Sequence, residues 1–303
     1  MHTPNQPRKP LRALLMSLVL PGFGQIYNGC ANRGIFLFLG FVILSGPSLA
    51  VAALYLPAPW TVLVSAQSLL SALAIWIYGM VDAWRTAKRQ ADYTPQAWQL
   101  SGVYVLIFLV CNTVALPAVI AYVRVHQVAA YRIPSGSMSP GILPGDYLFA
   151  DMRYNCPGCQ VAVQRGDVAI FTYPNNRTMS YIKRVIGLPG DRVQIRGPDV
   201  LVNGKLLQKT ERPTLRNAAL TERYDNRSWK VVWTVGTPRV PDVDVVVPPG
   251  QAFVMGDNRN GSQDSRNFGT VALQDIVGKA MQIWFSIDPE GGVRWERMGL
   301  TVE

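Results

Sequence analysis

The chain has 303 residues, 49% of them hydrophobic and 16% charged, and carries a formal net charge of +10. Soluble domains average roughly 25% charged residues, so this composition excludes an ordinary water-soluble protein. The charges also divide the chain: residues 34–81 and 93–123 contain no Asp, Glu, Lys or Arg, and residues 1–130 hold 8 basic and 2 acidic side chains against 21 and 17 in residues 131–303. Two domains are expected, a membrane region over 1–130 and an extracytoplasmic β-rich domain over 131–303. The near balance of charge in the second gives no nucleic-acid footprint.

A spanning helix needs about 20 apolar residues. The first uncharged run therefore predicts two transmembrane helices, about 34–56 and 59–81, with a turn at Leu56-Pro57-Ala58-Pro59. A third is expected at about 103–123, with a kink at Pro117. Ahead of them, residues 13–27 are interrupted by Pro21-Gly22-Phe23-Gly24-Gln25 and read as a re-entrant or interfacial segment. A cleaved signal peptide is the competing reading, but Tyr27 and Asn28 stand where a lipoprotein box before Cys30 wants Leu and a small residue. Arg8, Lys9, Arg12, Arg33, Arg85, Lys88 and Arg89 flank the hairpin, whose tip is uncharged, so the basic loops belong in the cytoplasm. The third helix then runs outward, and the polar half lies outside.

Residues 131–303 read as strands separated by Gly, Pro and Asp. Tyr147–Ala150, Asp167–Tyr173, Arg192–Ile195, Val243–Val247 and Ala280–Ile287 favour strand by β-branched and aromatic content. Asn203-Gly204 is a strong hairpin turn signal, and the polar, Pro-rich stretch 206–249 suggests an inserted lobe or long loops.

Two histidines, His2 and His126, are too few for a three-His zinc site and badly placed for a Ser-His-Asp triad. Cys156-Pro157-Gly158-Cys159 is half of a structural zinc site; outside the cytoplasm the pair suits a local disulfide or two free thiols. No metal or organic cofactor is implied. Serine supplies the better nucleophile in Ile133-Pro134-Ser135-Gly136-Ser137-Met138-Ser139-Pro140, about ten residues past the third helix. Lys183, within the apolar Tyr181-Ile182-Lys183-Arg184-Val185-Ile186, is the base candidate, because a lysine in a dry site has its charged form disfavoured. Arg184 cannot serve, since a guanidinium stays protonated.

Five stretches in order resemble bacterial type I signal peptidases: the third span; Ser135-Gly136-Ser137-Met138 with Gly145-Asp146; Arg165-Gly166-Asp167-Val168; Tyr181 to Val193; and Gly256-Asp257-Asn258-Arg259-Asn260-Gly261-Ser262-Gln263-Asp264-Ser265-Arg266. The resemblance covers about residues 103–287. It implies a mainly β catalytic domain with an inserted lobe, anchored by N-terminal transmembrane helices, that removes signal peptides from exported preproteins after small residues. Ser137 would be the nucleophile and Lys183 the general base. Ser262 would orient the lysine amine, and the Ser137 backbone N–H with the Ser135 hydroxyl would form the oxyanion hole. Asp264 and Arg266 would pair to brace the site, the alternative being an ordinary surface ion pair. Ile133, Pro134, Met138, Ile142, Tyr181 and Ile182 would line shallow pockets for small side chains one and three residues before the cut. Partners implied are signal-peptide-bearing preproteins, membrane lipid and the export machinery. Gly141, where the family usually has Thr, and Ser139 before Pro140 depart from the pattern. The first hundred residues exceed the family's usual one or two spans. The competing readings are a specialised relative that processes one secreted or conjugation-associated substrate, and a membrane scaffold that binds exported chains without cutting them.

Overall fold

The computed structural model describes residues 7–56, 60–96, 98–155, 162–209, 218–233 and 242–302. The chain forms two compact units, residues 1–123 and 124–303.

The first unit is helical. Helix α1 (Pro10–Val19) has ten residues, about 15 Å at 1.5 Å each, half a hydrocarbon core. The chain then turns at Gly22, φ +84°, into α2 (Phe23–Tyr27). The turn depends on close backbone approach: a Cβ on Gly22 would stand 2.0 Å from the Gly34 carbonyl oxygen, and one on Gly24 2.1 Å from that of Ala13. Helices α3 (Ala31–Ser45) and α4 (Pro47–Tyr55) follow, broken at Gly46-Pro47, then α5 (Trp60–Arg89). Polar side chains of the α2 segment are satisfied on α5: the Gln25 amide donates to the Gly79 carbonyl at 2.7 Å and the Asn28 amide to that of Ala83 at 2.8 Å. Ala31–Tyr55, Trp60–Arg89 and Ser101–His126 are each long and apolar enough to cross a membrane. In the third, α6 (Ser101–Val110) and α7 (Leu116–His126) are joined by a π-helical turn at Cys111–Ala115. The irregularity precedes Pro117, which cannot donate a backbone hydrogen bond. Side chains compensate the loosened turn: Asn112 donates to the Phe108 carbonyl at 2.9 Å and Thr113 to that of Leu109 at 2.7 Å. Pro57 to Pro59 of the expected hairpin turn lie outside the described residues.

The second unit is built of antiparallel strands: β1 (Val128–Arg132), β2 (Asp146–Asp151), β3 (Val168–Thr172), β4 (Ser180–Gly187), β5 (Arg192–Arg196), β6 (Asp199–Val202), β7 (Lys205–Leu206), β8 (Gln208–Lys209), β9 (Ala218–Tyr224), β10 (Arg227–Trp233), β11 (Val243–Val246), β12 (Gln251–Met255), β13 (Val271–Ala272) and β14 (Ile276–Ser286). Seven make the main sheet, in the order β1-β2-β14-β3-β4-β12-β13. Its central strands are buried on both faces: Val168, Ile170, Leu148 and Ala280 pack on one side, and Ala169, Phe171, Val185 and Val254 on the other. The stretch after Leu206 is a lobe with strands of its own. Sheets β11-β5-β6-β7 and β10-β9-β8 share a core of Val193, Ile195, Trp229, Val231 and Trp233 with Ile186 and Phe253 of the main sheet. Asn203 and Gly204 turn the β6–β7 hairpin with φ of +53° and +77°, the left-handed values a type I′ turn requires.

Candidate active site

Ser137 follows β1 in the loop to β2, Lys183 lies on β4, and the segment from Gly256 to Arg266 leaves β12 to enter the short helix α8 (Ser265–Phe268). These three pieces meet. The Lys183 amine is 2.8 Å from the Ser137 hydroxyl oxygen, and its other hydrogen bond goes to the Ile182 carbonyl at 3.0 Å. Lys183 is only 4% exposed. Burial pushes its pKa from the ordinary 10.5 down to about 8, a fall that the Asp264 and Asp257 carboxylates partly offset. Each carboxylate also holds an arginine in a two-pronged, buried pair: Asp257 with Arg184 at 2.8 and 2.7 Å, Asp264 with Arg266 at 2.7 and 2.7 Å.

The Asp264–Arg266 pair is interior, with side chains 0% and 2% exposed, rather than on the surface. Its geometry organises the loop. Asp264 accepts the Gly256 backbone N–H at 2.9 Å and caps α8, while Arg266 donates to the Arg259 carbonyl at 2.6 Å. Arg259 in turn binds Glu222 of β9 through both carboxylate oxygens, with neither side chain exposed. Backbone bonds run alongside, from Val232 N–H to the Asp257 carbonyl and from Arg259 N–H to the Val232 carbonyl, both 2.9 Å. Asn258 secures the serine loop, its backbone N–H donating to the Ser137 carbonyl and its amide to the Gly136 carbonyl, each at 3.1 Å.

Two expected roles differ from the observed geometry. The Ser262 hydroxyl is buried without a hydrogen-bond partner, because Lys183 directs its bonds to Ser137 and Ile182. Ser262 is nevertheless at the site: a Cβ on Gly256 would lie 2.1 Å from its hydroxyl oxygen and 2.5 Å from the Ser137 carbonyl oxygen. The Ser135 hydroxyl donates to the Ser137 hydroxyl oxygen at 3.3 Å. Of the six pocket residues, Ile133, Pro134, Tyr181 and Ile182 line a cavity of about 50 Å³ together with Tyr131 and Ile170. Met138 and Ile142 do not; at 0% and 2% exposure they are packed in the core with Ile133 and Leu148, too deep to wall an open pocket. Cys156 and Cys159 lie outside the described residues.

Sequence reasoning missed the contributions of Gly256, Asn258 and Glu222. The first two sit in the Gly256-to-Arg266 stretch and were visible as residues without a role; Glu222 carried no signal.

Among the described residues no group of His, Cys, Asp and Glu is arranged to hold a metal. Residues 104–285 match the family model described as signal peptidase, peptidase S26. Signal peptidase I of Rickettsia prowazekii is 33% identical over 196 residues, spanning 54% of this chain and 74% of that protein. The Pseudomonas aeruginosa signal peptidase I is 34% identical over 194 residues, spanning 55% and 68%. A crystal structure of a signal peptidase I from Enterococcus faecalis aligns with 31% identity over 39% of this chain and 96% of that one, with a TM-score of 0.28. With most of its length under the S26 profile and a third of its aligned residues shared with curated relatives, the chain belongs to the signal peptidase family S26.

Proposed function

We propose that this protein removes signal peptides from exported preproteins with Ser137 as nucleophile and Lys183 as general base. The 2.8 Å contact between the Lys183 amine and the Ser137 hydroxyl carries the reading. Unprotonated Lys183 takes the Ser137 proton as the serine oxygen attacks the scissile carbonyl. The resulting ammonium gives that proton to the leaving amine of the mature chain, and the signal peptide stays as an ester on Ser137. A water deprotonated by Lys183 then hydrolyses the ester and frees the signal peptide as a carboxylic acid. Negative charge on the tetrahedral carbon's oxygen is met by the Ser137 backbone N–H and the Ser135 hydroxyl, which rotates from Ser137 Oγ for that purpose. Ser262 receives the lysine during the cycle, and Arg266 with Asp264 holds the loop that carries it. A cavity of about 50 Å³ holds little more than a methyl group, which supports a preference for Ala near the cut.

The membrane-anchored helices and basic flanks support a bacterial inner-membrane, multi-pass arrangement with the catalytic unit on the periplasmic face, in contact with lipid and near the export machinery. The reading is tested with the full chain in detergent and a secretory precursor. Wild type cleaves, with kcat/KM falling about tenfold for each pH unit below about 7, as the buried lysine takes up its proton. Ser137→Ala and Lys183→Arg abolish cleavage. A folded Lys183→Arg protein with near wild-type turnover removes the dyad from consideration.

A further inference from the structure

A second, larger cavity of about 460 Å³ adjoins the small one, and Tyr131 and Ser180 line both. The register of the sheet orders them along the chain. Strands β3 and β4 pair Ala169 with Lys183, Ile170 with Ile182 and Thr172 with Ser180. Ile170 and Ile182 wall the small cavity, while Thr172 and Ser180, two residues on and on the same face, open the large one. Strand β12 pairs with β4 only from Arg184 onward, so among the described residues positions 180–183 are paired by β3 alone. That leaves an edge beside the dyad for an extended substrate.

A precursor lying there rises about 3.3 Å per residue, and its side chains alternate. Residues one, three and five before the cut therefore face the same way. The first lies at Lys183, beside Ser137. The third lies level with Tyr181, since two residues of β4 span about 7 Å. The fifth falls about 13 Å from the first, one position past Ser180, which borders the larger cavity. Apolar groups of Met152 and Val277 and the rings of Tyr131 and Tyr154 wall that space. Of its polar neighbours, Tyr154 donates to Asp167 at 2.8 Å and the Asn155 amide to the Leu273 carbonyl at 2.6 Å, while Arg124, Thr172, Ser180 and Gln274 complete the polar lining.

We propose that this cavity is a specificity subsite for a bulky apolar or aromatic side chain at the fifth residue before the cut, a proposal that rests on the assignment of Ser137 as the nucleophile. The enzyme then reads two features of a precursor, smallness next to the cut and bulk at the fifth residue before it.

The test uses full-length protein in detergent and precursor peptides that differ only in Phe or Gly at the fifth position. Wild type should show a kcat/KM about 10- to 100-fold higher for Phe, the gain expected from burying one large apolar side chain. Thr172→Trp, which fills the cavity from β3, should reduce that ratio to within about twofold; Val277→Phe, filling it from β14, should narrow it likewise and serves if the first variant misfolds. Binding of both peptides to Ser137→Ala protein gives the same ratio without chemistry. Equal values for the two peptides in wild type, or a ratio intact in both filled variants, would overturn the subsite. A preference in binding without cleavage by wild type would keep the subsite and reject the dyad, whereas cleavage without preference would do the reverse.

Discussion

Replacing Lys183 with Met should inactivate the enzyme and stabilise its fold. The structure holds the amine 4% exposed and lowers its pKa from 10.5 to about 8. The unfolded chain binds that proton more tightly than the folded one, so below pH 8 the folded state bears the full penalty of a buried charge. Between about pH 8 and 10.5 the unfolded chain still carries the proton that the folded chain has released; stability therefore rises with pH through that window, and above it the penalty is gone. At about 1.36 kcal/mol for each tenfold in proton affinity, the fall amounts to roughly 3 kcal/mol at pH 7. Methionine has similar length and no charge, but it forfeits the lysine's hydrogen bonds to Ser137 and Ile182, worth about 1 kcal/mol each. A net gain of about 1 kcal/mol is expected. At 2–4 °C per kcal/mol for a unit of this size, Lys183→Met should melt roughly 2–4 °C above wild type at pH 7, with the difference shrinking as pH rises and reversed in sign by about pH 11. Thermal melts of the two full-length proteins across pH 7–11 measure it, since groups that titrate identically in both cancel in the difference. A variant less stable than wild type at pH 7, or a gap that does not change with pH, would refute the account of the buried amine.

Gly256→Ala should disable catalysis without touching a chemical group, because the new methyl must displace Ser262 or the Ser137 carbonyl, 2.1 and 2.5 Å from where it would stand. A shift of about 1 Å at a reacting group costs roughly 100-fold, so a loss of that order in kcat is expected, and near wild-type kcat would show the segment to be more yielding than its packing indicates. Topology is checked with phosphatase fusions: a reporter after Arg132 should be active and one after Lys88 inactive, and the opposite pattern would put the site in the cytoplasm.

What could be read from the chain is what depends on residue chemistry in a short window. The serine-bearing turn at 135–139 and Lys183 stood out because one sets hydroxyls among small residues and the other is a charge in an apolar strand, and the family resemblance then singled out Ser137. The strands around Leu148, Ile170 and Ile283 were legible from β-branched content, and Asn203-Gly204 from its turn geometry. Burial was not legible: Met138 and Ile142 neighbour the serine in sequence, yet their side chains turn into the core, a direction set by how the 133–145 loop folds over β2. The Asp264–Arg266 pair could be named from the family resemblance alone, but its interior position depends on packing beneath β12. Glu222 was hidden altogether. It lies 37 positions from Arg259 in a stretch whose polar, Pro-rich composition masked the alternation of Trp229, Val231 and Trp233 that gives the lobe its core.

The Glu222–Arg259 pair also bears on how such an enzyme could be shortened or lengthened in evolution. The lobe that carries β9 supplies the only partner charge described for a guanidinium wholly enclosed at the base of the Gly256-to-Arg266 segment. A deletion that removed the lobe alone would strand that cation in the interior, at a cost of about 3–5 kcal/mol, a large share of a typical domain's stability. Lobe and arginine are thus lost or kept as a couple, and a trimmed catalytic unit made in the laboratory needs an apolar substitute at position 259 from the outset.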